Sequence, residues 1–81
     1  MEDSLEAFRA HIAANITVEM ERRGITQQQL AQTTGISPQT MGRRLRGEYP
    51  FTTDEIGILS RLFKVSVEAL VARTGPQEIA S

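Results

Sequence analysis

The stretch from Gln27 to Leu45, QQQLAQTTGISPQTMGRRL, decides the fold. Thr26 stands just before it and Gln29 three residues on, the spacing of a capping box that closes a helix start. Leu30 and Ala31 follow as inward residues, and Thr33 and Thr34 are poor helix formers. Gly35 ends the segment by permitting the positive φ that a tight turn requires. Ser37 is a strong N-cap, and Pro38 falls at N1, where a missing N–H is harmless. The spacing predicts two short helices joined by a tight turn, the second over residues 37–46 with Gly47 ending it.

The flanks complete an all-α domain. Upstream, Asp3 with Glu6 has a capping-box spacing, and a first helix is expected over Ser4 to Arg23. Leu5, Phe8, Ile12, Ile16 and Met20 recur at intervals of three and four, which makes one apolar stripe. Arg22 and Arg23 fall in its last turn, before Gly24. Two roles stand side by side for them, complementing the negative end of the helix dipole and touching phosphate. Downstream, EYPFT over 48–52 reads as a loop anchored by Phe51. Thr52 with Glu55 is a third box, and Ile56, Leu59, Leu62 and Phe63 form the inner face of a fourth helix. Val65 packs before a short fifth helix, capped by Ser66, with Val67, Leu70 and Val71 directed inward. Residues 74–81, TGPQEIAS, read as a flexible C-terminal tail, which leaves 1–73 as the domain.

Composition narrows the chemistry. With no cysteine and a single histidine, His11, the sequence offers neither a thiolate site nor a zinc ligand set, and no metal or cofactor is expected. No apolar run approaches the roughly 20 residues of a membrane span. The acidic start, MEDSLEAF, lacks the order of a signal peptide, so a soluble cytoplasmic protein is expected. Glu19, Glu21, Asp54 and Glu55 fall on helix surfaces and caps without a paired nucleophile and base, which argues against an enzyme. Net charge is −1, but it is unevenly spread. Residues 22–47 carry Arg22, Arg23, Arg43, Arg44 and Arg46 without an acid, and the rest of the chain is net negative. A local positive field on an acidic body can still steer towards phosphate.

Plotted at about 100° per residue, the third helix turns Pro38, Met41 and Leu45 to one side, the core face. Gln39 and Arg43 lie opposite, one turn apart, with Thr40 beside them, Arg46 at the border and Arg44 on the flank. Arginine can bond bidentately to guanine, glutamine to adenine, and a threonine methyl can touch that of thymine. The outward face is thus equipped to read base edges of double-stranded DNA. Gln27, Arg22 and Arg46 fall at helix ends or on the flank, where phosphates are nearer than bases. Solvated surface residues are the plainer reading of the same pattern. Gly42, inside this helix, costs roughly 1 kcal/mol relative to alanine and calls for a close approach by another group or simple tolerance.

From about Ile16 to Leu70 the chain resembles the Cro/CI-type helix-turn-helix family of phage repressors and bacterial regulators. The resemblance is carried by ERRGITQQQLAQTTGIS, by the helix that follows, and by FTTDEIGILSRLFKVSVEAL. It implies a compact lambda-repressor-like bundle of five helices and a DNA-binding transcriptional regulator, usually a homodimer on a two-fold operator. Carried over by position, Ser37, Gln39, Thr40 and Arg43 would face the groove. Gln27 would touch phosphate, with Gln28 beside it. Arg44 departs from the family, which usually places an apolar residue there, and Lys64 stands where a glycine is usual. A phage or prophage repressor is the leading expectation, since the sequence holds little beyond the DNA-binding domain. The alternative is an antitoxin-like module whose main ligand is a protein partner, although TGPQEIAS is short for wrapping one.

Overall fold

Each helix begins where a hydroxyl can accept an otherwise unpartnered backbone N–H. The computed structural model describes residues 4–73 and contains, in order, α1 (Leu5–Arg23), α2 (Gln27–Thr34), α3 (Pro38–Leu45), α4 (Thr53–Phe63) and α5 (Val67–Val71). The fold is all-α, as expected. Thr26 and Thr52 close complete capping boxes with Gln29 and Glu55. In each, the backbone N–H bonds the threonine at 3.1 Å and the returning side chain lies at 2.8 Å. Ser66 caps α5 by accepting from the Ala69 N–H. At α1 the cap is Ser4, which accepts from the Ala7 N–H, so the helix begins one residue later than expected. Asp3, read as the capping partner of Glu6, lies outside the described residues, as does the 74–81 tail.

The core gathers from all five helices. Ile16, Leu30, Met41, Leu59, Phe63 and Leu70 are its largest fully buried side chains. Helices α2 and α3 pack on each other, α1 lies against α3 and α5, and α4 touches α2 and α5. Asn15 ties the closure by donating from Nδ2 to the carbonyls of Leu70 (2.9 Å) and Ala72 (2.7 Å).

Four apolar residues expected in the core are exposed. Leu5 and Phe8 belong to the α1 stripe but are exposed, Leu5 at 70%. Nineteen residues make a helix of about 28 Å, and its first two turns line an open surface cavity with Pro50 and Phe51. Val67 is 48% exposed, because the five-residue α5 turns only Leu70 fully inward. Pro38 is exposed at the start of α3, and the core face of that helix is Met41 with buried Gly42 and half-buried Leu45.

Lys64 ends α4 in the left-handed region at φ 59°. That conformation costs a non-glycine residue roughly 1–2 kcal/mol. Lys64→Gly should therefore stabilise the domain by about 1 kcal/mol, less the chain entropy that glycine adds. Thermal melting checks this, and an unchanged or lower midpoint would contradict it.

Candidate nucleic-acid interface

The turn between α2 and α3 orients the outward face of α3. Gly35, at φ 77°, lets its own N–H and that of Ile36 both reach the Ala31 carbonyl, at 2.9 and 3.1 Å. The chain reverses within three residues and Ser37 opens α3. Its hydroxyl accepts from the Thr40 N–H at 3.2 Å and donates to Thr40 Oγ1 at 2.9 Å. Ser37 is thus engaged in its own cap. Gln39 and Arg43 are exposed and Thr40 half-exposed on the same helix. Gln28 lies across the turn, lining a shallow concavity with Gln32, Ser37 and Pro38.

Gln27 reaches over α3 from the start of α2. Its Nε2 donates to the Pro38 carbonyl at 3.1 Å. The amide lies where a Cβ on Gly42 would come within 3.0 Å of it. A Cβ there would crowd the end of the Gln27 side chain, which favours close approach over mere tolerance as the reason for the mid-helix glycine.

The five arginines have different surroundings. Arg43 and Arg46 are on the exposed side of α3. The Arg43 guanidinium lies over the Tyr49 ring at 6.0 Å, near the outer limit of a cation–π contact. Arg46 donates from Nε to Glu48 at 2.9 Å. That hydrogen bond holds the Glu48 carboxyl below the usual carboxylate range. Arg22 stays exposed beside Glu19, 3.4 Å away. Arg23 is turned into the fold. It pairs with Glu19, donates to the Phe63 carbonyl and covers the Phe63 ring at 5.2 Å. It thereby satisfies the C-terminal end of α4, where a cation also complements the helix dipole.

Arg44 is the other departure. Its side chain is only 19% exposed and meets Glu55, itself 14% exposed. Glu55 Oε1 already closes the α4 capping box, and Oε2 takes Arg44. An ion pair between α3 and α4 thus occupies the position where the resemblance implied an apolar residue. Arg44 Nε and Nη1 are both buried without a hydrogen-bond partner, so the contact is a pairing of charges rather than a hydrogen-bonded fork.

Ser37, Gln39, Thr40 and Arg43 therefore come together on α3, with Gln27 and Arg46 at its edge and Gln28 across the turn. Arg23 and Arg44 do not join that face. Sequence reasoning missed Tyr49 and Glu48. The signal for Tyr49 is a lone tyrosine three residues after Arg46, and for Glu48 an acid two residues after Arg46. Among the described residues no group of His, Cys, Asp and Glu could hold a metal ion. No helix among them is long and apolar enough to cross a membrane.

Two capped helices around a glycine turn, the second presenting a polar and cationic face, define a helix-turn-helix protein. Comparison with known proteins places it further. The family model HTH_3, described as helix-turn-helix, matches residues 19–70, and the chain belongs to that family. Two solved structures are similar. One is the hypothetical transcription factor NHTF from Neisseria, with TM-score 0.77 and 21% identity over 95% of this chain and 86% of that one. At that identity the likeness is one of fold. The other is an HTH_3 family transcriptional regulator from Vibrio cholerae, with TM-score 0.75 and 27% identity. It aligns over 93% of this chain, which spans 42% of the Vibrio chain. No match was found among curated protein sequences.

Proposed function

We propose that this protein is a DNA-binding transcriptional regulator of the cytoplasm that reads the major groove with α3 and acts as a repressor of phage or prophage type. The observation that carries the reading is the outward face of α3. Gln39, Thr40 and Arg43 share it, Gln27 and Arg46 border it, and no acid lies within residues 22–47. Base edges meet the first three, and phosphates meet the edge residues. Arg22 is a more distant phosphate contact. Repression then needs only occupancy of the operator, which excludes other proteins from the same DNA.

A single short helix reads few base pairs, so two copies on a two-fold site supply the specificity. The dimer interface is assigned to the α5 end, around Val67 and Val71, with Ile79 outside the described residues. Exposed Val67 lies in one apolar groove with Phe8, Phe51 and Val71, which favours a protein neighbour on that side. The same groove favours the antitoxin-like reading, in which the neighbour is a different protein.

Selection from a random pool should yield a site with two half-sites about one helical turn apart. Titration should give two chains per site. Affinity should fall steeply with salt, by about 0.9 in log–log slope for each phosphate neutralised. A flat salt response would overturn the DNA reading. One chain per unrepeated site would overturn the dimer. A second protein that co-purifies and blocks DNA binding would favour the antitoxin.

A further inference from the structure

We infer that Gly42 forms a notch that gathers Gln27 and Arg46 into one cradle for a single DNA backbone phosphate, and that the absent Cβ is what keeps the cradle open. The inference rests on the DNA-binding reading and concerns the gripping of backbone rather than the reading of bases.

Gly42 is buried within α3, covered by the exposed side chains of Gln27 and Arg46, and a mid-helix glycine is costly relative to alanine. The space is used twice. A Cβ there would lie 3.0 Å from Gln27 Nε2 and 3.4 Å from Arg46 Nη1. The two nitrogens converge on one point from different elements, Gln27 from the start of α2 and Arg46 from the C-cap of α3. They are therefore at most about 6.4 Å apart, a spread that two hydrogen bonds of about 2.9 Å to different oxygens of one phosphate can cover.

The donors suit an anion. A carboxamide nitrogen carries two N–H groups, and a guanidinium carries five in a planar fork. One Gln27 N–H goes to the Pro38 carbonyl, which fixes the amide across α3. The Nε of Arg46 goes to Glu48, which steadies the guanidinium while its terminal nitrogens carry further donors. Both residues are exposed. Gln27 and Arg46 therefore act as a pair, with Gly42 as the positioning residue.

A methyl at position 42 meets side-chain ends rather than backbone. The fold can accept it by moving Gln27 and Arg46, so the loss falls on the cradle. Gly42→Ala should melt at or above the parent's temperature, because alanine is the better helix former. It should bind a 20-base-pair random-sequence duplex roughly tenfold more weakly, about the loss of one hydrogen bond to a charged group. Stability and affinity would then move in opposite directions, which a merely structural role does not produce.

A second measurement does not depend on that variant. Gln27→Ala, Arg46→Ala and the double variant are titrated against the same duplex. Residues sharing one phosphate give coupled losses, with the double variant losing less than the product of the two single fold-losses. Losses that multiply would assign separate phosphates and overturn the cradle. So would a folded Gly42→Ala variant that binds as the parent does. A parent with no salt-dependent binding to the duplex would overturn the DNA-binding reading, and the cradle with it. Parent binding with unchanged Gly42→Ala affinity overturns the cradle alone.

Discussion

Met41→Ala should cost the domain about 2–5 kcal/mol, the range for truncating a buried methionine or leucine. Met41 is fully buried and comes from the helix that also presents the outward polar face. A small domain holds only about 5–15 kcal/mol in total, so this one truncation removes much of its stability. The melting temperature should fall by about 4–8 °C for each kcal/mol. Leu45→Ala should cost less, because Leu45 is half-buried at the edge of the core. Gln39→Ala, on the exposed side of the same helix, should stay within about 0.5 kcal/mol of the parent. Urea and thermal denaturation of the three variants measure the rotation of α3. If Met41→Ala melts like the parent, the helix is turned differently and its outward face is not the one described.

The elements legible in the sequence were those fixed within four residues. Thr26 with Gln29 and Thr52 with Glu55 mark helix starts because a capping box is a local geometry that tertiary packing rarely overrides. Gly35 is legible for the same reason, since the turn needs its conformation. Ser4 was passed over because Asp3 offers a competing local cap one residue earlier.

What escaped depends on neighbours distant in sequence. Periodicity assigned Leu5 and Phe8 to the core, but a stripe cannot say where the body beneath it stops. Helical plotting puts Arg44 on a flank by angle alone, and only Glu55 from the next helix makes its half-buried place tenable. The place of Arg23 is set by Phe63, forty residues on, which supplies both a carbonyl and a ring. Gly42 was unexplained because its occupant, Gln27, arrives from a different helix. In the candidate site, the outward face of α3 was therefore legible, whereas the partition of the arginines between surface and fold was not.

That partition sharpens the expected difference between reading and gripping. Arg43 projects from the exposed side of α3 beside Tyr49, whose ring restrains the guanidinium without occupying its hydrogen-bonding edge. Arg43→Ala should cost about 1–3 kcal/mol on the selected site and relax preference at one or two base pairs. On a scrambled duplex the cost should be smaller, because no base edge there matches the fork. Arg46 sits at the C-cap, where the helix ends. Arg46→Ala should weaken both duplexes nearly alike and lower the salt slope by about one. It also leaves Glu48 without its partner, so an exposed carboxylate near the phosphates adds repulsion on any sequence. The experiment titrates each variant against selected and scrambled duplexes at two salt concentrations. Equal losses on both duplexes for Arg43→Ala would make Arg43 a phosphate contact. Base reading would then rest on Gln39 and Thr40 alone, too few contacts for a specific half-site, and the assignment of α3 as the reading helix would fail.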